Sequence, residues 1–284
     1  PVIDLVRFGA SLLLAAREEG GADEEGRFGD EFLKGYRTGL RGDRREMRTP
    51  ELVTRTRAGF KWDHAPALRQ AHALIDQAPL PIDAFADGVS RFSELVSFGR
   101  ELPADFFKVK RTGAITMGVG SALDEKYLII FEGDTPAAED DLVVEAKQIR
   151  DLAGNPCVRT DVPASRVLDG QRLIAYEPFA YAAVVPHGDK FFWMHDWTDD
   201  YQEASIGTAI RSARELRELA FDAGVQMGRA HPKRPDGSSD KDRREAVSRA
   251  LDAFEARVRA AMREMAARTE RAWEAFRTAA RTAP

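Results

Sequence analysis

From Val2 to Arg17 the apolar residues Ile3, Leu5, Val6, Leu12 and Leu13 recur mostly at helical spacing. This predicts an amphipathic helix that ends at Gly20-Gly21. The same period returns from Glu24 to Leu40, where Phe28, Phe32, Leu33 and Tyr36 share one face before the charged turn Arg41 to Arg45. Shorter helical patterns cover Pro66 to Gln77 and Asp83 to Phe98, divided by Pro79 and Pro81. After Pro103 the period shortens. Phe106 to Arg111, Ala114 to Val119, Tyr127 to Glu132 and Leu142 to Lys147 are rich in β-branched and aromatic residues and read as strands. A helix is expected from Ala164 to Tyr176. Tyr181 to Val185 and Lys190 to His195 then flank Pro186-His187-Gly188-Asp189 as a hairpin. The helical period resumes over Ile206 to Ala230, breaks at the loop Pro232 to Asp240, and runs from Lys241 towards Thr278. In that last helix Val247, Leu251, Phe254, Val258, Met262 and Met265 form the expected buried stripe.

The pattern predicts an α+β fold, with helical regions flanking a central antiparallel sheet of five or six strands. Three segments follow: a helical one over 1–102, a β-rich one over 103–200 and C-terminal helices over 201–284. No repeat of fixed period is present.

Composition narrows the functional classes. The chain has 284 residues, of which 43% are hydrophobic and 31% charged, as in an ordinary globular protein. A formal net charge of -5 argues against general nucleic-acid binding. Leu12 to Ala16 is far too short an apolar run to span a membrane. With the single cysteine Cys157 no intrachain disulfide can form, so a cytoplasmic location is expected.

Two features in the β-rich segment carry candidate chemistry. Gly113, Gly118, Gly120 and Ser121 lie between expected strands. Glycines there suit either a plain hairpin turn or a loop whose amides approach an anion, with Val119 between them. No Gly-Lys-Ser/Thr follows, and strand rather than helix comes next, so this is neither a Walker A loop nor a dinucleotide fingerprint. Lys147 ends the next strand and is either a surface lysine or a phosphate ligand. His231 ends a helix, where an imidazolium would complement the helix dipole. Asp4 lies between Ile3 and Leu5; it is expected to be buried on backbone amides, the alternative being a first-turn aspartate favoured by the dipole. No His-Glu-Xaa-Xaa-His, Cys-Xaa-Xaa-Cys or Gly-Xaa-Ser-Xaa-Gly pattern occurs, so a structural zinc site and the common hydrolase elbow are not expected.

Three blocks resemble the bacterial family named domain of unknown function 2252. They are Ile3-Asp4-Leu5-Val6-Arg7-Phe8 with Ser11-Leu12; Met117-Gly118-Val119-Gly120-Ser121 with Glu145-Ala146-Lys147 and Arg166 to Leu173; and Arg229-Ala230-His231. The similarity spans roughly residues 1 to 235. The family looks like a kinase-like fold with rearranged segment order. The resemblance implies a nucleotide partner, ATP with Mg²⁺, and an unidentified phosphate acceptor, with no nucleic acid or membrane involved. It assigns Gly118, Val119, Gly120 and Ser121 to a phosphate loop and Lys147 to the phosphates. It makes Asp169 or Gln171 the helix partner of Lys147, and gives Asp4 a bracing role. The family's Gly-Asp-Xaa-His-Xaa-Xaa-Asn-Phe-Gly and acidic metal-binding stretch are expected upstream of Pro1, and Met194 to Asp200 departs from the family pattern. The expected function is part of an ATP-dependent phosphotransferase; the alternative is a non-catalytic kinase-like binding module.

Overall fold

The computed structural model describes residues 2–18, 25–42, 48–98, 100, 102, 106–116, 123–133, 135, 137–150, 152, 164, 166–202, 204–234 and 240–282. It is a mixed α+β structure. The chain divides into two compact units, one comprising Pro1–Gly59 with Gln202–Pro284 and the other Phe60–Tyr201.

The first unit is helical. It contains α1 (Val2–Glu18), α2 (Glu25–Arg41), α3 (Glu51–Arg57), α7 (Ile206–Ala209), α8 (Ala213–Ala230) and α9 (Lys241–Thr282). The aromatic stripe of α2 is fully used, since Phe28, Phe32, Leu33, Tyr36 and Leu40 are all buried. The Phe28–Phe32 edge of that stripe meets α8 through glycines, without side chains between the two backbones. A Cβ on Gly35 would lie 2.0 Å from the Phe221 carbonyl oxygen, and one on Gly39 would lie 2.3 Å from that of Val225. Gly224 and Gly228 stand reciprocally, each 2.1 Å by the same measure from the carbonyl oxygens of Phe32 and Tyr36. Glycine at four-residue spacing on both helices is what permits this approach. The expected helix from Ile206 to Ala230 is interrupted. Ser212 begins α8 as its N-cap, its hydroxyl accepting from the Glu215 amide. Buried Glu215 pairs with Arg55 at 2.8 Å and also accepts from the Arg211 amide, which holds its carboxyl down at about 2.

The last helix, α9, packs on α1. Gly9 sits against Met262 and Arg17 pairs with Glu270, so the two helices run parallel. The buried stripe of α9 is Leu251, Val258, Met262 and Ala266. Phe254 and Met265, expected in that stripe, are exposed because they fall at its margin on the helical wheel.

The second unit holds α4 (Ala65–Gln77), α5 (Ala86–Ser97), α6 (Arg166–Ile174) and a six-stranded antiparallel sheet in the order β1-β2-β3-β4-β6-β5. The strands are β1 (Pro79–Leu80), β2 (Val109–Ala114), β3 (Lys126–Phe131), β4 (Leu142–Ile149), β5 (Ala182–His187) and β6 (Lys190–Asp196). The two strands expected over 106–119 are one strand, β2, in its described part. Gly113 lies inside it rather than in a turn, where a Cβ would be 2.9 Å from the Ile75 Cα of α4. β1 was not expected. Its proline is tolerated because the strand lies at the sheet edge, paired only with β2.

Strand alternation gives the sheet two different faces. One carries Ile129, Phe131, Val144, Ala146, Phe192 and Met194 and packs with Phe85 and Phe92 of the α5 region. The other carries Leu128, Ile130 and Val143 against Leu68, Ala71 and Ile75 of α4. Further along this second face the apolar character stops.

Candidate functional site

Glu145 and Lys147 alternate with Val144 and Ala146 in β4, so they share the face of Val143. Register then places His195 opposite Glu145 and Trp193 opposite Lys147 across the β4–β6 pair. The result is a charged and aromatic cluster built on the central strands. The Lys147 Nζ lies 3.2 Å from Glu145 Oε1 and 5.9 Å from the centre of the Trp193 ring. Trp197 Nε1 donates to Glu145 Oε2 at 3.2 Å. Phe179 stacks on His195 at 4.2 Å between ring centres, and the Trp193 ring centre lies 4.3 Å from that of His195.

Burial separates the roles of these groups. Glu145 and His195 are buried, whereas the Lys147 side chain is 38% exposed and reaches solvent. The His195 pKa is pushed down, chiefly by burial, although the hydrogen bond to its neighbour's carbonyl works in the opposite sense. His195 Nδ1 is 2.9 Å from the Asp196 carbonyl oxygen, an acceptor, so Nδ1 carries the proton of the neutral ring. The other nitrogen, Nε2, presents a lone pair and faces Glu145 Oε2 at 3.9 Å. Acceptor therefore faces acceptor, and His195 Nε2 has no hydrogen-bond partner among the described residues. Trp193 Nε1, a buried donor, has none either. The face thus offers a half-exposed ammonium braced by a buried carboxylate, beside a stacked aromatic group with unused polar atoms. Chemically it is equipped to hold an anion and an attached ring.

Of the residues singled out from the sequence, Lys147 is in this cluster. Gly118, Val119, Gly120 and Ser121 lie outside the described residues. Asp169 and Gln171 lie on α6, which packs beside β5, and neither pairs with Lys147 among the described residues. Lys147 takes its carboxylate from its own strand.

Asp4 and His231, singled out separately, meet in the helical unit. His231 Nε2 is 3.6 Å from Asp4 Oδ2, and Tyr36 Oη is 2.8 Å from His231 Nδ1. The Asp4 side chain is 53% exposed and belongs to the first turn of α1, so the expectation of burial on backbone amides is overturned. His231 is the C-cap residue of α8, as expected, but it does not cap as an imidazolium. Burial pushes its pKa down to about 4, so the ring is neutral at pH 7. The Tyr36 hydroxyl, its own pKa raised first by burial, donates to Nδ1 and leaves the proton of the ring on Nε2, facing Asp4.

Sequence reasoning missed His195, Trp193, Trp197 and Phe179. A signal was present, because Glu145/Lys147 and Trp193/His195/Trp197 repeat at a spacing of two within otherwise apolar strands, which puts each set on one face.

A family model described as "uncharacterized protein conserved in bacteria (DUF2252)" matches residues 83–279, more than half of the chain. The chain belongs to this family. The DUF2252 match takes in the whole sheet from β2 onward, Lys147, Glu145, His195 and His231, and continues through most of α9. It begins after Asp4, whose block contributed to the resemblance seen in the sequence. No curated protein and no solved structure matches the chain.

Proposed function

We propose that this DUF2252 protein is a kinase-like nucleotide-binding protein, part of an ATP-dependent phosphotransferase, with Lys147 as the ligand of the nucleotide phosphates. The observation that carries the reading is the register of β3 on β4. Lys126, the first residue of β3, pairs with Lys147, so β3 begins opposite Lys147, and Gly118, Gly120 and Ser121 precede it in sequence. A glycine-bearing connection followed by a strand and then a strand lysine is the order in which protein kinases cover and hold phosphates. The helix α6 and the β5–β6 hairpin come next in sequence.

The residues present fit a nucleotide phosphate, since Lys147 is half-exposed and already oriented by Glu145. When bound, Mg²⁺ would neutralise phosphate charge. Among the described residues no group of three His, Cys, Asp or Glu side chains is placed to hold it. The exposed Asp4, without a backbone partner among the described residues, favours the second reading, a kinase-like module that binds a nucleotide or partner without transferring phosphate.

Calorimetric titration of ATP with Mg²⁺ into the native protein and Lys147→Met tests the proposal. The variant keeps most of the side-chain length and deletes the charge, so affinity should fall about tenfold to a hundredfold. Equal affinity in the two proteins would remove Lys147 from the nucleotide site. Binding without release of ADP in the presence of candidate acceptors would favour the binding module.

A further inference from the structure

The chain passes between its two units twice, at Gly59–Phe60 and at Tyr201–Gln202. Within the sheet unit, the residues next to both crossings are fastened to each other. Asp200 Oδ2 accepts from the Lys61 amide at 3.0 Å and the Trp62 amide at 2.5 Å. Beside this, His64 Nδ1 is 2.6 Å from Asp199 Oδ1, while its Nε2 is 2.7 Å from the Asp141 carbonyl oxygen at the start of β4. Trp62 and Asp200 have φ of 53° and 55° and are the non-glycine residues with positive φ among those described. Left-handed backbone at such residues persists only where surrounding bonds hold it.

Both partners of His64 are acceptors. A carboxylate oxygen faces one ring nitrogen and a carbonyl oxygen faces the other, so both bonds form only when both nitrogens carry hydrogen. We propose that His64 is a pH-sensitive latch on the two connecting segments, closed as the imidazolium and released when the ring loses its proton. Release breaks one of the two His64 bonds, so the ring no longer ties Asp199 to the start of β4, and the adjacent Asp200 is held less firmly on Lys61 and Trp62.

The surrounding charges agree with this. Burial lowers the His64 pKa, but its hydrogen bonds to the Asp199 carboxylate and the Asp141 carbonyl and the charges of both aspartates outweigh it, leaving the value above that of an ordinary histidine. The N-terminus of α4, where His64 is the N-cap residue without a side-chain capping bond, opposes the positive charge, while Asp63, next to it, favours it. Lys61 and Asp200 are charged neighbours in the two segments, and Lys110 of β2 lies 2.6 Å from the Asp141 carboxylate and partly neutralises it. The stabilising contribution is therefore complete below the ordinary histidine pKa of about 6.5 and is lost as pH rises through the higher folded value.

Hydrogen exchange of the Lys61 and Trp62 amides, corrected for intrinsic pH dependence, tests the latch in the native chain. Protection should be high at pH 6 and fall roughly tenfold by pH 9, while the Ile129 to Phe131 amides of β3 keep theirs. His64→Gln should show the low protection at both pH values. Should that variant not fold, Asp199→Asn keeps the shape of the partner and should lower the His64 pKa, followed by the ring proton shift in NMR, by about one unit. Protection at Lys61 and Trp62 that is the same at pH 6 and pH 9, or a His64 pKa unmoved by Asp199→Asn, would overturn the proposal.

Discussion

His231 in the helical unit and His195 in the sheet unit are both buried, and burial pushes the pKa of each below the ordinary histidine value. They differ in what meets the ring. His231 has Tyr36 on one nitrogen and Asp4 facing the other, whereas His195 uses Nδ1 on the Asp196 carbonyl and leaves Nε2 without a partner. At His231 a ring N–H faces a carboxylate, an attractive arrangement even at 3.6 Å, whereas at His195 a lone pair faces one, and a buried acceptor left without a donor carries a free energy cost. The helical unit's cluster is thus matched donor to acceptor, while the sheet unit's cluster leaves His195 Nε2 and Trp193 Nε1 without partners among the described residues. The difference continues in the packing, since α2 and α8 meet along a seam of glycines, whereas the sheet's second face is left charged and aromatic beyond α4.

The strongest way to break this contrast is at the seam. Gly228→Ala puts a Cβ about where the Tyr36 carbonyl oxygen leaves no room, and backbone cannot turn aside as a side chain can. We expect a loss of at least ~3 kcal/mol in urea unfolding. A loss below about 1 kcal/mol would mean that the two helices can part freely.

Acidification should act next most strongly. The folded pKa of His231, about 4, lies below the ordinary histidine value, so the unfolded chain takes up this proton first as pH falls. The stabilising contribution is whole above about pH 6.5 and is lost towards pH 4, amounting to at most roughly 3 kcal/mol. His231→Asn should flatten that part of the stability profile, and an unaltered slope would show that His231 is protonated in the folded protein.

Removing one hydroxyl should matter less. Tyr36→Phe leaves His231 Nδ1 buried without its donor and should cost about 1–2 kcal/mol in thermal or urea unfolding. His195→Phe, which removes an unpartnered nitrogen along with one bonded to a carbonyl, should cost less than Tyr36→Phe. If His195→Phe proved the more damaging of the two, the contrast between the histidines would be lost.

The smallest effect should be a gain. A Cβ on Gly170 in α6 meets nothing within 4 Å, and its φ is not in the left-handed region, so Gly170→Ala should stabilise by about 0.5–1 kcal/mol. This is the counterpart of Gly228→Ala, with the same change of side chain and the opposite sign.

The helical stripe of α2 was fully legible because its period of apolar residues coincides with what the fold buries. The margin of the α9 stripe was not, since Phe254 and Met265 satisfy the same spacing while lying outside the contact with α1. Glycine spacing on α2 and α8 is visible in the sequence, but only the partner backbone reveals that Gly35, Gly39, Gly224 and Gly228 form one seam. At the candidate site, Lys147 stood out as a cation ending an apolar strand. Its pairing with Glu145 was not read, Asp169 or Gln171 being expected instead, although strand alternation puts Glu145 and Lys147 on one face; the approach of His195, Trp193 and Phe179 depends on register and on a loop, neither of which is written locally.

Glu145 and Lys147 are two positions apart on one strand, so their distance is set by the chain that carries both. A tilting helix or a hinged domain can break an ion pair whose halves lie on separate elements, but it has no purchase on this one. The strand fixes where the two side chains start, so what separates them is a change in the side chains themselves, as when an incoming anion competes for the ammonium.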